Sequence, residues 1–485
     1  MSEAAPPTPS EQPDPQRPAS SAPTEEQLER ETPGGSAASG HDPYAALRYP
    51  AYCLFSLGWI VSVIGQQVQS VAIQWQMFRR MPSASHGALA LGLIGGVQAI
   101  PVMLLALPAG QLADRFDRRK LVMISQFFAF LCSVGLAIAS HMNAPIGWMY
   151  LLLGLGASAQ AMGWPARSAV LPQIVPAEAF ANAMTWNSSA FQFAAMAGPA
   201  LGGLVVYYTL TGAYVLDACC SFTYFILLFF VSVRPVAPVR KGATLSGIAE
   251  GVRFVWRTKV ILAAITLDLF AVLLGGATYL LPLFATEILH VGALGFGWLK
   301  AAPAIGALMM ALVQAHMPPL KRAGATMLWA VTGFGLATIV FGLSHSFLLS
   351  FLMLLLTGAT DNISVVVRHT LVQMLPPETM RGRVSAVNNV FIGASNEIGG
   401  LESGLSAWGL AKLLGPMLGA VASVVLGGIG SILAVAAVAV LWPQMRRFGS
   451  LADARPIDSD APEDGRGFEV ITTSSDHRLG GGPSR

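Results

Sequence analysis

The chain has 485 residues, 54% of them hydrophobic and 11% charged, where an average soluble protein carries about 25% charged residues. That composition excludes a string of ordinary water-soluble domains and makes lipid the solvent for much of the chain. The formal charge of +3 is too small to point to nucleic acid, and Cys53, Cys132, Cys219 and Cys220 lie in apolar runs, as small hydrophobes rather than a disulfide framework or metal site.

Residues 1–42 hold eight prolines and almost nothing that forms a core, so a disordered tail is expected there. No basic start leads into an apolar stretch, so this is not the pattern of a cleaved signal. At roughly 20 apolar residues per crossing, spans fall near 51–78, 89–111, 121–140, 147–166, 181–208 and 213–233. A loop over 234–259 follows, then spans near 260–286, 294–316, 324–344, 347–367, 384–410 and 415–442. Spans 51–78 and 384–410 are long and polar enough to be tilted or broken, and a polar tail is expected over 443–485. The expected fold is an all-α membrane protein of twelve helices, with six-helix bundles at 43–233 and 260–442.

Lys and Arg decide orientation, because cytoplasmic loops are enriched in them. One set of loops holds Arg115, Arg118, Arg119 and Lys120, then Arg167, six basic residues of the middle loop, Lys321 and Arg322, and Arg368, Arg381 and Arg383. The other set holds Arg79, Arg80 and Lys412. Both termini are therefore expected in the cytoplasm. The halves also repeat: Gln173, Pro176 and Glu178 return 200 positions later as Gln373, Pro376 and Glu378.

Polar groups at membrane depth are costly, so they mark surfaces that face protein or water. Ser62, Gln66, Gln69 and Gln76 share one face of span one by helical spacing. Span five carries Asn187 and Gln192 among other polar residues. Span eleven carries two adjacent stripes, Asn388, Ser395 and Glu402 beside Asn389, Asn396 and Ser403. Bonding between helices accounts for any one of these; three polar-faced helices together point to a shared aqueous cavity. Its candidate lining is Ser62, Gln66, Gln69, Asn187, Gln192, Asn389 and Asn396.

Acids are rarer. Asp268 lies ~12 Å into span seven at 1.5 Å per residue, Asp361 in the cytoplasmic half of span ten, and Glu397 near the middle of span eleven. An ionised carboxylate at the bilayer centre costs about 2.5–3.5 kcal/mol, which favours the protonated form and suits a group that loads and releases protons. Glu397, Asp268, Asp361 and Glu402 are the proton-coupling candidates; a static polar partner is the alternative for each. Asp217 and Lys300 lie near span ends, where snorkelling to water is expected.

Two segments carry a family resemblance. Gly110-Gln-Leu-Ala-Asp114-Arg115-Phe-Asp-Arg118-Arg119 resembles the signature loop of the major facilitator superfamily, with Asp117 where that pattern has Gly. Gly198-Pro199-Ala-Leu-Gly202-Gly203 resembles its antiporter motif, with Ala194 in place of a further Gly. Gly198 and Gly202 form a small face for close helix approach, and Pro199 removes a backbone bond. Asp114 is placed to meet the positive start of span eleven, beside Arg381 and Arg383, as a latch between halves. Further strings, Trp164-Pro-Ala-Arg167-Ser-Ala-Val-Leu-Pro-Gln173, Arg381-Gly-Arg-Val-Ser-Ala-Val-Asn388 and Phe391-Ile-Gly-Ala-Ser-Asn-Glu397-Ile, are similar to the branch containing bacterial enterobactin exporters.

That resemblance implies two bundles around a central site and proton-driven alternating access in the inner membrane. The expected function is export of a catecholate siderophore, with efflux of macrolides or other drugs as the alternative. A membrane enzyme or non-transporting subunit is the distant reading, since the chain has no HExxH and no GxxxxGK[ST] motif. Expected partners are lipid, a small-molecule substrate and protons, with a monomer sufficient and no cofactor.

Overall fold

The computed structural model describes residues 42–234, 245–318 and 320–450. A short leading unit ends at Ala45, and one compact unit begins at Ala46. In the leading unit the Tyr44 amide donates to Asp42 Oδ1 at 3.0 Å.

The first half of the compact unit is built from α1 (Pro50–Arg79), α2 (Ala84–Arg115), α3 (Arg118–His141), α4 (Ile146–Ile174), α5 (Ala177–Tyr208) and α6 (Leu210–Phe230). The second half comprises α7 (Lys259–Leu274), α8 (Gly292–His316), α9 (Ala323–Leu343), α10 (Phe347–Met374), α11 (Glu378–Leu414) and α12 (Pro416–Leu441). Among the described residues, ten segments are long and apolar enough to cross a membrane, with α7 and its extension to Ile288 as one of them. The other two, α4 and α11, have 29 and 37 residues and lie outside that set. Large apolar side chains such as Leu104, Phe230, Trp329 and Val440 stay about 70% exposed, a surface that water would not tolerate and lipid would cover.

Local chemistry starts and stops these helices. Asp117 is the N-cap of α3 and accepts from the amides of Arg119 and Lys120 at 3.0 and 3.3 Å. Asp and Gly are both accepted at an N-cap, which explains how the signature loop tolerates Asp117. Pro176 and Pro377 cap α5 and α11, each followed by an acid in the first turn, Glu178 and Glu378, where the helix dipole favours negative charge. At the α11–α12 turn Gly415 has φ +87°, a conformation that Gly adopts without steric cost.

Packing repeats six helices on. In the first half α1 packs on α5 and α6, α2 on α4, and α3 on α4 and α6. In the second half α7 packs on α11 and α12, α8 on α10, and α9 on α10 and α12. Between the halves the principal contacts are α2 with α11 and α5 with α8, a pair that the same six-helix shift exchanges.

Three expectations need correction. Of the tilt or break expected for spans one and eleven, the break is absent, since α1 and α11 are each continuous, and the interrupted segment is the seventh. After Leu274 it passes Gly275 and Gly276 into a 3-10 turn at Ala277–Leu280 and a π turn at Phe284–Ile288. The segment read as a loop between the halves contains a helix, Leu245–Arg257, whose Glu250 pairs with Arg383 of α11. The tail begins later than 443, because Pro443–Arg447 is helical and Met445 and Phe448 are buried against the apolar ends of α7, α9 and α12. Residues 1–41, 235–244 and 451–485 of the expected tails and loop lie outside the described residues.

Candidate functional site

Between the halves lies a cavity of about 2210 Å3. Its mouth is bounded by Gly110, Asp114 and Arg115 at the end of α2 and by Glu378, Gly382 and Arg383 at the start of α11. The first half forms one wall and α11 the other. Amide and hydroxyl groups stud it: Gln66, Gln69 and Ser70 from α1, Gln98 from α2, Gln160 from α4, and Asn389 and Asn396 from α11. Trp164, Phe191 and Phe391 supply aromatic surface.

Glycines close the opposite end. A Cβ on Gly92 of α2 would stand 2.8 Å from the Gly404 Cα of α11, and one on Gly95 would stand 3.0 Å from the Leu401 nitrogen. A Cβ on Gly203 of α5 would stand 2.8 Å from the Gly297 Cα of α8. Backbone therefore meets backbone at both inter-half contacts, a closeness that small residues permit.

Glu397 lines the cavity just inside this seam. Its Oε2 accepts from the Tyr279 hydroxyl at 2.6 Å, and Tyr279 is held there by the 3-10 turn that interrupts the seventh segment. Lys300 of α8 is within electrostatic reach of Glu397. The Lys300 ammonium donates to Ser70 Oγ at 2.8 Å and Gln74 Oε1 at 2.9 Å, both on α1. The snorkelling expected of Lys300 is corrected: its charge is turned inward, where it ties the second half to the first. Asp217 is corrected too, being 1% exposed, with one carboxylate oxygen accepting from Ser133 and the other, among the described residues, without a partner.

The other expected proton carriers stand apart from the cavity. Asp268 and Arg368 are buried and form an ion pair between α7 and α10, so Asp268 has a fixed partner. Arg368, assigned to a loop by its charge, lies inside α10, and Arg167 lies inside α4. Asp361 and Glu402 are half-buried and, among the described residues, do not line the cavity; the Ser403 hydroxyl is 3.5 Å from Glu402 Oε2. The two polar stripes of α11 separate: Asn388 and Ser395 are buried in protein, while Asn389 and Asn396 face the cavity.

Of the expected lining, Gln66, Gln69, Asn389 and Asn396 reach the cavity. Ser62 is buried behind it, donating to Gln126 and accepting from Gln66, and Asn187 and Gln192 are not among its walls. In the signature loop, Gly110, Asp114 and Arg115 edge the mouth. Arg118 donates to the Ala113 and Ala169 carbonyls and Arg119 to those of Leu228 and Phe229, which fastens α3 to the ends of α2, α4 and α6. In the antiporter-type segment, a Cβ on Gly198 would stand 2.5 Å from Gln67 Cβ and one on Gly202 2.9 Å from Val71 Cβ, so this face packs on α1. The Pro199 carbonyl and Gly203 instead meet Gly297 of α8.

A helical body in two matched halves around a central cavity defines a class, the membrane transporters of the major facilitator superfamily. The chain belongs to the transmembrane secretion effector family of that superfamily, whose model matches residues 41–461. It is 27% identical over 421 residues to enterobactin exporter EntS of Citrobacter koseri, covering 85% of this chain and 96% of the relative. EntS of Escherichia coli O1:K1 is 26% identical over 405 residues, covering 82% and 94%. Among solved structures, the inward-facing, unoccupied bacterial homolog of the human lysosomal transporter Spinster superposes with TM-score 0.62 at 16% identity, covering 84% of this chain and 99% of that one. A D-xylose–proton symporter gives 0.63 at 14% identity, covering 80% and 96%. The fold is thus that of the superfamily.

Proposed function

We propose that this multi-pass membrane protein is a proton-coupled exporter of a catecholate siderophore, working by alternating access across a bacterial inner membrane. In this reading the twelve helices all cross the bilayer, both termini are cytoplasmic, and the cavity mouth faces the cytoplasm to receive cargo. The similarity to enterobactin exporters over most of the chain supports the cargo class. A cavity of about 2210 Å3 with amide and aromatic walls suits a large amphiphilic molecule.

One observation carries the coupling. Glu397 sits at the closed end of the cavity, bonded to Tyr279 and within reach of Lys300, whose hydrogen bonds cross to α1. Protonating Glu397 removes its attraction for the ammonium and changes the balance at a contact between halves. A proton bound at this carboxylate is thereby linked to opening.

Everted vesicles energised by respiration are expected to accumulate labelled enterobactin, and an uncoupler to abolish that uptake. Glu397→Gln is expected to lower energised uptake at least tenfold at unchanged expression. Wild-type uptake by Glu397→Gln would remove the carboxylate from the mechanism, and absence of enterobactin uptake by the unmodified protein would remove the cargo. The apolar and aromatic wall also suits amphiphilic drugs, so a deletion strain that gains drug sensitivity while secreting siderophore normally favours that second reading.

A further inference from the structure

Beside the main cavity, α1, α3, α4 and α5 enclose a side pocket of about 180 Å3. A cavity of about 150 Å3 takes up benzene, so this space has room for one substituted six-membered ring. Gln66, Gln67, Gln160, Trp164 and Phe191 line both spaces, which makes the pocket a bay of the cavity. Trp59 stacks on Phe191 with ring centroids 6.0 Å apart and planes 14° apart, a flat apolar wall. Arg167 completes the bay, its guanidinium carbon 4.1 Å from the Trp59 ring centroid and 4.8 Å from that of Trp164.

The guanidinium is held by aromatic faces, which stabilise a cation without using its N–H groups. Among the described residues it has no carboxylate partner and donates no hydrogen bond. Tyr224 is the titratable side chain that interacts with it, and the Tyr224 hydroxyl is buried without a partner. Among the described residues, Gln67 and Gln160 likewise make no side-chain hydrogen bond. A permanently charged group with five donors, in a ring-sized recess between helices, calls for an anion. Arg368, inside α10, is by contrast matched by an acid, Asp268.

We infer that this bay is a subsite for one aromatic ring bearing an anionic oxygen, of the benzoate, phenolate or catecholate class. The ring lies against Trp59 and Trp164, the anionic oxygen on the Arg167 guanidinium, and ring hydroxyls on Gln67 and Gln160. The inference deepens the export proposal and rests on it for the identity of the whole cargo, though binding of a single ring is independent of transport.

Equilibrium dialysis of purified protein with labelled 2,3-dihydroxybenzoate tests it, with unlabelled catechol and cyclohexanecarboxylate as competitors. Binding is expected, with catechol (neutral) and cyclohexanecarboxylate (no aromatic ring) at least tenfold weaker. Arg167→Gln should weaken binding at least tenfold and Arg167→Lys by less, with unchanged melting temperatures. Should Arg167→Gln fail to fold, Trp164→Ala and Gln160→Leu, which change the bay from its cavity side, should each weaken binding at least threefold. Equal binding by unmodified and variant protein, equal binding of cyclohexanecarboxylate, or no binding of 2,3-dihydroxybenzoate overturns the subsite. Binding that depends on Arg167 in a protein that fails to move enterobactin keeps the subsite and rejects the cargo.

Discussion

Asp268 stands out in the sequence as an acid deep in an apolar run, and the structure pairs it with Arg368, 100 positions away. Depth is readable from position in a span; a partner on another helix is not. The same gap explains Arg167, Asp217 and Lys300. Each sits near the edge of an apolar window, where a charge reads as belonging to a loop or to water. α4 runs past its window to Ile174 and takes in Arg167, while Asp217 and Lys300 lie within α6 and α8 and bond to side chains of α3 and α1. For the buried pair, removing one charge leaves the other uncompensated, at a cost of about 3–5 kcal/mol. Asp268→Asn is therefore expected to lower the unfolding free energy in detergent by about that amount, and Asp268→Leu with Arg368→Met to recover most of it. Equal stability of the single variant and the unmodified protein would show that the pair contributes nothing.

Among the elements, the glycine contacts α2–α11 and α5–α8 decide which end of the cavity is shut. Adding side chains there should prevent closure without touching the cavity wall. Gly404→Val is expected to shift spin-label distances between the ends of α2 and α11 near Ser85 and Lys412 toward longer values, and to slow transport. An unchanged distance distribution would mean that the two helices part and meet elsewhere. The small face of α5 was legible from Gly198 and Gly202 alone, because a four-residue step fixes a helical face. Its neighbour, α1, was not, since spacing along one helix says nothing about which other helix fills the groove. The interruption at Gly275–Gly276 is not legible in hydropathy: apart from Asp268 the run 260–286 is largely apolar, and hydropathy does not distinguish a continuous helix from a broken one.

For the whole molecule, most of the long helices were legible as apolar runs, ten of the described segments being long and apolar enough to cross a membrane, because burial of backbone polar groups in lipid forces helices wherever such runs occur. The doubled architecture showed faintly as three recurring residues and emerges fully in packing partners that repeat six helices on. A topology test follows from this pattern and the placement of basic residues. With native cysteines replaced, single cysteines at Arg115 and Ser450 should react with an impermeant maleimide only in everted vesicles, and one at Ser85 only in intact spheroplasts. Labelling of the Arg115 and Ser450 positions from opposite faces would refute the arrangement.

Lys300 carries a consequence for any such rearrangement. Its two oxygen partners belong to one half and its backbone to the other, so separating the halves at that end strands an ammonium in a poorly hydrated place. Whatever parts them must offer that nitrogen a substitute, whether incoming water, the freed carboxylate nearby or an acidic passenger. The rate of leaving this state is then a question of how quickly a replacement oxygen arrives.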